Sequence, residues 1–362
     1  VSSSRRVSGL FACAVIASLH GVDTFADDAV IDPLNRSSIV SARASVALLT
    51  AVEPTGGHLV AVGERGIILL SEDDGRTWAQ AQVPTSLMLT SVRFANTESG
   101  WVVGHGGIVL ATSDSGRTWH KQLDGISAAH LLLEAVRANP DADPRQLAYA
   151  ERMVSEGADK PFLDLIVQDE RTITVVGAFG LAFRSNDGGR SWQPWSSHIP
   201  NDQGSHLYAI RQVGKTQYIA GEMGAVFRSS DGGESFTRIK TPYEGSFFGL
   251  VLVSPEHMLL YGLRGNVFLS RDGGASWQKS QLDTEESLTA GSVLKDGSIV
   301  LGNQAGGLYR STDGGLSFTS VPLGNPAPIV ALAESAGNSL ILAGARGTVR
   351  LNEAALNVGN KQ

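Results

Sequence analysis

One octet recurs six times along the 362-residue chain: SEDDGRTW at 71, TSDSGRTW at 112, SNDGGRSW at 185, SSDGGESF at 229, SRDGGASW at 270 and STDGGLSF at 311. Its aspartates are Asp73, Asp114, Asp187, Asp231, Asp272 and Asp313, at spacings of 41, 73, 44, 41 and 41. A period near forty residues means that one supersecondary unit is copied and that each copy needs its neighbours to bury its core. A second signal keeps step. Ten residues before the first five aspartates stand Gly63, Gly104, Gly177, Gly221 and Gly262; Gly302 stands eleven before Asp313. Each of these glycines ends an apolar run, as in LVAVG, WVVG and YIAG, and most are followed by two variable residues and a further glycine.

The unit therefore reads strand, Gly-x-x-Gly turn, strand, octet turn, strand. Another apolar run precedes each copy: LTSVRF, FLDLIV, LYAI and FGLVLV. Four short antiparallel strands per forty-residue repeat define the blade of a β-propeller. After the sixth octet, PIVALAES and SLILAGARGTVRLNE supply three more strands, with Gly344 in the turn and Ala354 where the next aspartate would stand. The expected fold is all-β: a seven-bladed propeller of four-stranded antiparallel blades. A three-stranded blade leaves an open edge. The segment DPLNRSSIVSARAS near the N-terminus is expected to supply the missing outer strand and close the ring.

Within the octet each residue type has a local task. The aspartate is expected to accept backbone N–H groups two residues on in a turn, the glycine takes positive φ, and the Ser or Thr ties the turn to its own backbone. The aromatics are Trp78, Trp119, Trp192, Phe236, Trp277 and Phe318; each anchors its hairpin by burial worth on the order of 2–3 kcal/mol. A calcium loop needs alternating ligands and a distal bidentate glutamate, which the octets lack. They read as structural joints, with no metal implied. They resemble the Asp-box, or bacterial neuraminidase, repeat, and that resemblance covers nearly the whole chain after its first residues. It is specific for fold and not for activity.

Sialidases with this repeat carry an Arg-Ile-Pro motif, an arginine triad and a tyrosine nucleophile. Here the nearest string is HIP at 198. No Ser-His-Asp signature, His-x-x-x-His pair or phosphate loop is present either, and no cofactor is implied. A net charge of −7 argues against nucleic acid as a partner. GADKPFLDLIV, leading into VVGAFGLAFRSNDGGRSW, and the repeated VG-x-x-G…S-x-D-G-G-x-S-W pattern resemble the photosystem II stability/assembly factor-like family. That resemblance implies a non-enzymatic propeller of the periplasm, or of the thylakoid lumen in a photosynthetic cell. It would bind an extracytoplasmic segment of a membrane protein as an assembly or scaffold factor. A sialidase-like glycoside hydrolase and an accessory subunit of an envelope export system are the alternatives.

In a propeller the turns between second and third strands share one face with the connections between blades; the octets lie on the other. The Gly-x-x-Gly turns keep their frame and vary their content, so they are the candidate partner surface: Arg65, His105, Phe179, Glu222, Arg264 and Arg346. The three arginines would make a basic spot suited to an acidic peptide or headgroup. On the same face, residues 124–160 read as a helical hairpin inserted between blades two and three. Ala128, Leu132 and Ala135 fall at helical spacing, as do Leu147, Ala150 and Val154. Asp143 before Pro144 reads as an N-cap with proline at the first helical position. The insertion reads equally as a cap on the ring or as a partner-binding arm.

The first residues read as a processing segment. Arg5 and Arg6 precede the short apolar run LFACAVIASL, and a small residue precedes a polar stretch. The pattern reads as a secretory signal of residues 1–26, with the propeller expected in 27–362. Cleavage after Ala26 removes the sole cysteine, Cys13, and leaves a net charge of about −8. Disulfides then have no part in stability.

Overall fold

A computed structural model of the protein describes residues 32–356. The signal segment read at residues 1–26 lies outside these. Six four-stranded antiparallel sheets and one three-stranded sheet follow one another along the chain, each with its strands in sequence order. The seven innermost strands are Leu49–Pro54, Leu89–Phe94, Phe162–Val167, Leu207–Val213, Phe247–Leu252, Leu288–Val293 and Ile329–Glu334. Each packs on the innermost strand of the next blade, and the last packs on the first. The chain is a seven-bladed β-propeller.

The second strand of each blade is buried on both faces; those of the first, third and seventh blades read Leu59–Gly63, Ile173–Gly177 and Leu340–Gly344. Unbroken apolar runs such as LVAVG and ITVVG are what a strand needs when sheets cover both of its sides. The cores accordingly lie between blades. Val60, Val62 and Leu110 share one cluster with Trp119, and Phe247 and Leu260 share another with Tyr218. The fourth strands are short, from the two residues Ala79–Gln80 to the four residues His120–Leu123.

The octets form closed hydrogen-bonded turns. In the first, the Ser71 hydroxyl donates to Asp73 Oδ1 at 2.9 Å and accepts from Gly75 N at 2.8 Å. Thr77 N donates to Oδ1 at 2.8 Å and the Thr77 hydroxyl to Oδ2 at 2.6 Å. The aspartate thus reaches the residue four positions on, further than the two expected. The same pattern recurs at Asp114, Asp187, Asp231, Asp272 and Asp313. The Trp119, Trp192, Phe236 and Phe318 side chains are buried, and Trp78 and Trp277 are half-buried. Three of the turns also take a bond from the preceding blade. Gln122 donates to Gly188 O at 2.9 Å, the Trp195 indole to Gly233 O at 2.8 Å and Ser280 to Gly315 O at 2.6 Å.

Ring closure follows this rule and not the expected strand exchange. The seventh blade has three strands, Ile329–Glu334, Leu340–Gly344 and Gly347–Leu351, and the chain then turns into a short helix at Glu353–Leu356. Residues 32–48 form no strand. Leu34 is buried in the core between blades one and two, and the segment then follows blade one and meets blade seven only at its end, where the turn Ala44–Val46 packs on Gly347–Leu351 and Ala44 joins the core with Ile341 and Ala343. Ser38 N donates to Val83 O at 3.0 Å, and Ser41 N to the Gln80 side chain at 2.9 Å. The ring closes through Asp74, the second aspartate of SEDDG. Its carboxylate accepts from Gly337 N at 3.0 Å, from the Ser339 hydroxyl at 3.1 Å and from Arg350 at 2.8 Å, all on blade seven.

The insertion lies between blades two and three as two helices, α1 (Gly125–Ala138) and α2 (Pro144–Glu156). Asp143 caps α2 with Gln146 completing a capping box, and Pro144 opens the helix. The buried stripe differs from the expected one. It is Ala128, Ala129 and Leu133 on α1 and Ala150 and Met153 on α2, while Ala135 is exposed. Ala129 and Leu133 share a core cluster with Trp101, Trp192 and Met153. The hairpin therefore caps the groove between two blades.

Two outcomes follow. The hydroxyls of Thr77, Ser191 and Ser276 hold Asp73, Asp187 and Asp272 at about 2, against an ordinary 3.8. A depressed folded-state pKa contributes stability above the unfolded value and loses it as pH falls. The melting temperature should therefore hold down to about pH 4 and drop steeply toward pH 2. Asp74→Ala strips three bonds from the blade-one to blade-seven seam. It should destabilise the ring by about 1–3 kcal/mol in chemical unfolding, with Asp74→Asn recovering part of the loss.

Candidate functional site

The Gly-x-x-Gly turns lie on one face, beside the connections between blades. Their first glycine is required by close approach: a Cβ on Gly63 would stand 2.1 Å from Leu48 O. That contact lets Glu64 N donate to Leu48 O at 3.0 Å, and Ala178 N reaches Pro161 O at 3.1 Å in the same way. The second variable residue has left-handed backbone, at φ 55° for Arg65, 56° for Phe179, 50° for Met223 and 56° for Arg264. This conformation costs a non-glycine residue roughly 1–2 kcal/mol. The chain nonetheless places large side chains there, and Phe179 and Met223 remain 51% and 56% exposed. Asp74 and Ser115 share this backbone in the octets but are only half-exposed; large apolar side chains displayed to solvent set the Gly-x-x-Gly turns apart, as at a recognition surface.

The six candidate residues divide by role. Arg65, His105, Arg264 and Arg346 are exposed. Arg65 and Arg346 lie on the adjoining blades one and seven, and Arg346 donates to the Asn325 side chain at 3.2 Å. Arg264 lies on blade five, with blade six between it and Arg346. Glu222 is a brace: its carboxylate accepts from His206 N at 3.3 Å, as Glu64 accepts from Leu48 N at 3.1 Å. Phe179 and Glu222 meet at His206. Phe179 N is bonded to His206 Nδ1 at 2.8 Å, and the two rings pack edge-on at 4.7 Å. Lys160, bound to Glu156 at 2.6 Å and to Asp159 at 2.7 Å, places its ammonium 5.5 Å from the Phe179 ring. From His206 the aromatic series continues through Tyr208 to Phe248, at 6.1 and 5.5 Å.

Tyr208 and Phe248 also line an axial channel of about 550 Å³, which sequence reasoning missed. All seven innermost strands carry a β-bulge at their second residue. Bulges re-aim side chains. Here Thr50 and Thr90 donate to Leu89 O and Phe162 O of the next blade at 2.6 and 2.8 Å. Leu163, Tyr208, Phe248 and Val330 give the same mouth an apolar part. The third residue is small in six blades: Ala51, Ser91, Ala209, Gly249, Ala290 and Ala331. In the remaining blade it is Asp164.

Toward the opposite end the channel is ionic. Arg93 pairs with Glu53 at 3.4 Å and with Asp164 at 3.5 Å. Arg211 also binds Asp164, which takes Ser91 Oγ at 2.7 Å and Ile210 N at 3.0 Å besides. Burial opposes ionisation of Asp164, but the guanidinium groups of Arg211 and Arg93 outweigh it and hold the carboxyl below its ordinary range. Burial pushes Glu53 up and Tyr261 to about 12. One signal for this cluster was present in the sequence: Arg93 and Asp164 interrupt the apolar runs LTSVRF and FLDLIV. Among the described residues no group of three or more His, Cys, Asp or Glu side chains is arranged to hold a metal ion.

The fold and these features define a propeller with Asp-box joints on one face and variable, strained turns on the other. The model of the photosynthesis system II assembly factor YCF48 family matches residues 38–128 and 146–244, and the chain belongs to that family. The gap in the match falls within the helical insertion. Among solved structures, YCF48 bound to D1 peptide is similar at 14% identity and TM-score 0.62, over 85% of this chain and 94% of that one. YCF48 from Cyanidioschyzon merolae is similar at 13% identity and TM-score 0.65, over 88% and 99%. The propeller of streptogramin B lyase, an enzyme, shares the fold at 12% identity and TM-score 0.65, over 85% and 94%. No curated protein sequence matches the chain.

If the left-handed positions are kept for display, replacing their side chains should relieve strain. Met223→Gly should raise the unfolding free energy by about 1 kcal/mol in denaturant titrations. An unchanged or lower value would show that Met223 is held by packing.

Proposed function

We propose that the protein is a non-catalytic assembly or scaffold factor that binds a segment of a membrane protein through the face bearing the variable turns. It acts on the extracytoplasmic side, reached through the signal in residues 1–26. The observation that supports this most directly is the set of exposed side chains held in left-handed backbone on one face. Phe179 and Met223 supply apolar contact and Arg65 and Arg264 supply charge; Arg346, exposed without left-handed backbone, adds a further charge on the same face. Family membership favours the same reading, and a relative has been solved with a peptide bound. The octets have a complete structural task on the opposite face and are not part of this surface.

Crosslinking followed by mass spectrometry in the native envelope tests the reading. Crosslinks should run from residues flanking Phe179, Met223 and Arg264 to one membrane protein. The double variant Phe179→Gly, Met223→Gly should retain the fold and lose most of that yield. Reversal of Arg65, Arg264 and Arg346 to glutamate should reduce the yield and flatten its salt dependence. Crosslinks confined to the octet face would overturn the assignment. Crosslinks to export machinery would redirect it to that partner.

A further inference from the structure

The channel keeps hydrogen-bond donors that no group of the protein takes up. Asp164 receives four groups: the Arg211 guanidinium, Ser91 Oγ, Ile210 N and the ion pair with Arg93. An ionised carboxylate has about four acceptor sites, so these are filled. Arg211 donates only through Nη1, to Asp164 and to Ile210 O. Its Nε and Nη2 donate no hydrogen bond within the protein, and its side chain stays 30% exposed, toward the channel.

Tyr261 adds a third unused donor. It enters from the second strand of blade five, and its ring fills the space left by two glycines. A Cβ on Gly249 would stand 2.2 Å from its hydroxyl, and one on Gly291 would stand 2.7 Å from its ring. The residue is only 3% exposed. Its hydroxyl lies within electrostatic reach of Arg211 and has no hydrogen-bond partner. The small third residues of the neighbouring strands leave open volume beside these groups.

The geometry points to a binding site for one carboxylate group with an apolar tail. The planar fork of Arg211 matches a carboxylate, and the Tyr261 hydroxyl adds a donor from the side. Arg93, Arg211 and Lys295 stand against Glu53, Asp164 and Glu334 in the lining, so the site carries no excess positive charge to hold a phosphate dianion and a monoanion fits it better. The tail extends toward Tyr208 and Phe248. These second-position side chains stand about 10 Å from Arg211 along the strand direction, at roughly 3.4 Å per residue. Such a carboxylate belongs either to a free small acid or to the C-terminus of an extended chain.

Calorimetry on the purified full chain tests this with 4-phenylbutyrate, its primary amide, and an apolar tetrapeptide with free or amidated C-terminus. At least one free acid should bind at one per chain, and its amide should bind about tenfold or more weakly. Tyr261→Phe removes a hydroxyl that holds nothing. It should keep the melting temperature and weaken acid binding about tenfold. Arg211→Lys keeps a positive charge beside Asp164 and removes the fork, so it should weaken binding further. Binding of the small acid alone identifies a metabolite-sized ligand; binding of the free peptide alone identifies a chain terminus. Either result upholds a carboxylate site. If no acid binds below about 1 mM, if amides bind as well as acids, or if both variants bind as the parent does, the channel holds only water and the proposal fails.

Discussion

No blade of this protein can bury its own core. Each sheet has two apolar faces, so each second strand is covered only when a neighbouring blade stands on either side. This dependence makes the ring an all-or-none object and puts its most sensitive point at the seam. There Asp74 holds the amide of Gly337, the hydroxyl of Ser339 and the guanidinium of Arg350 together. Burial opposes its charge, yet the bonds from Ser335, Arg350, Gly337 and Ser339 keep the carboxyl well below the ordinary range. The same turn position binds the preceding blade elsewhere in the ring through glycine carbonyls, so the seam is a charged version of the common joint.

A closed ring also creates an axis that nothing else fills. Seven bulges turn seven side chains toward one end of the channel, and small residues at the next inward-facing position leave it open below them. The charges of Glu53, Arg93, Asp164 and Arg211 come from four successive blades and meet only because the ring is closed. Ion pairs removed from water need full hydrogen bonding to be tolerated. Asp164 has that through Ser91 and Ile210 N, whereas Arg211 and Tyr261 do not.

Much of the fold was legible because a repeat multiplies weak signals. One Asp-Gly-aromatic octet is an ordinary turn, while six in register with a glycine ten residues earlier define blades. The blade with no seventh aspartate was legible for the same reason. Features that occur once were less so. The N-terminal segment was expected to complete blade seven with a strand, but Leu34 found a pocket between blades one and two and drew the backbone along blade one, so that only the turn Ala44–Val46 reaches blade seven. On the insertion the helical period was right and Ala128 and Ala150 are buried as expected, but the rest of the stripe falls on Ala129, Leu133 and Met153, because two blades cover the hairpin. Glu222, read as a candidate partner contact, also accepts from His206 N, a bond that the sequence did not mark.

By itself the sequence determined the unit, its count and its turn chemistry. These depend on residues within about forty positions of one another: Ser71 with Asp73 and Thr77, or Gly63 with the strand it ends. It also determined which face carries variable content, because strand alternation fixes the side on which each turn emerges. Only the tertiary structure decided how the ring closes, which apolar side of α1 is covered, and that Arg93, Asp164, Arg211 and Tyr261 share a channel. The physical reason is common to all three. Each depends on a contact between blades, and the residues on the two sides of such a contact carry no periodic mark of one another.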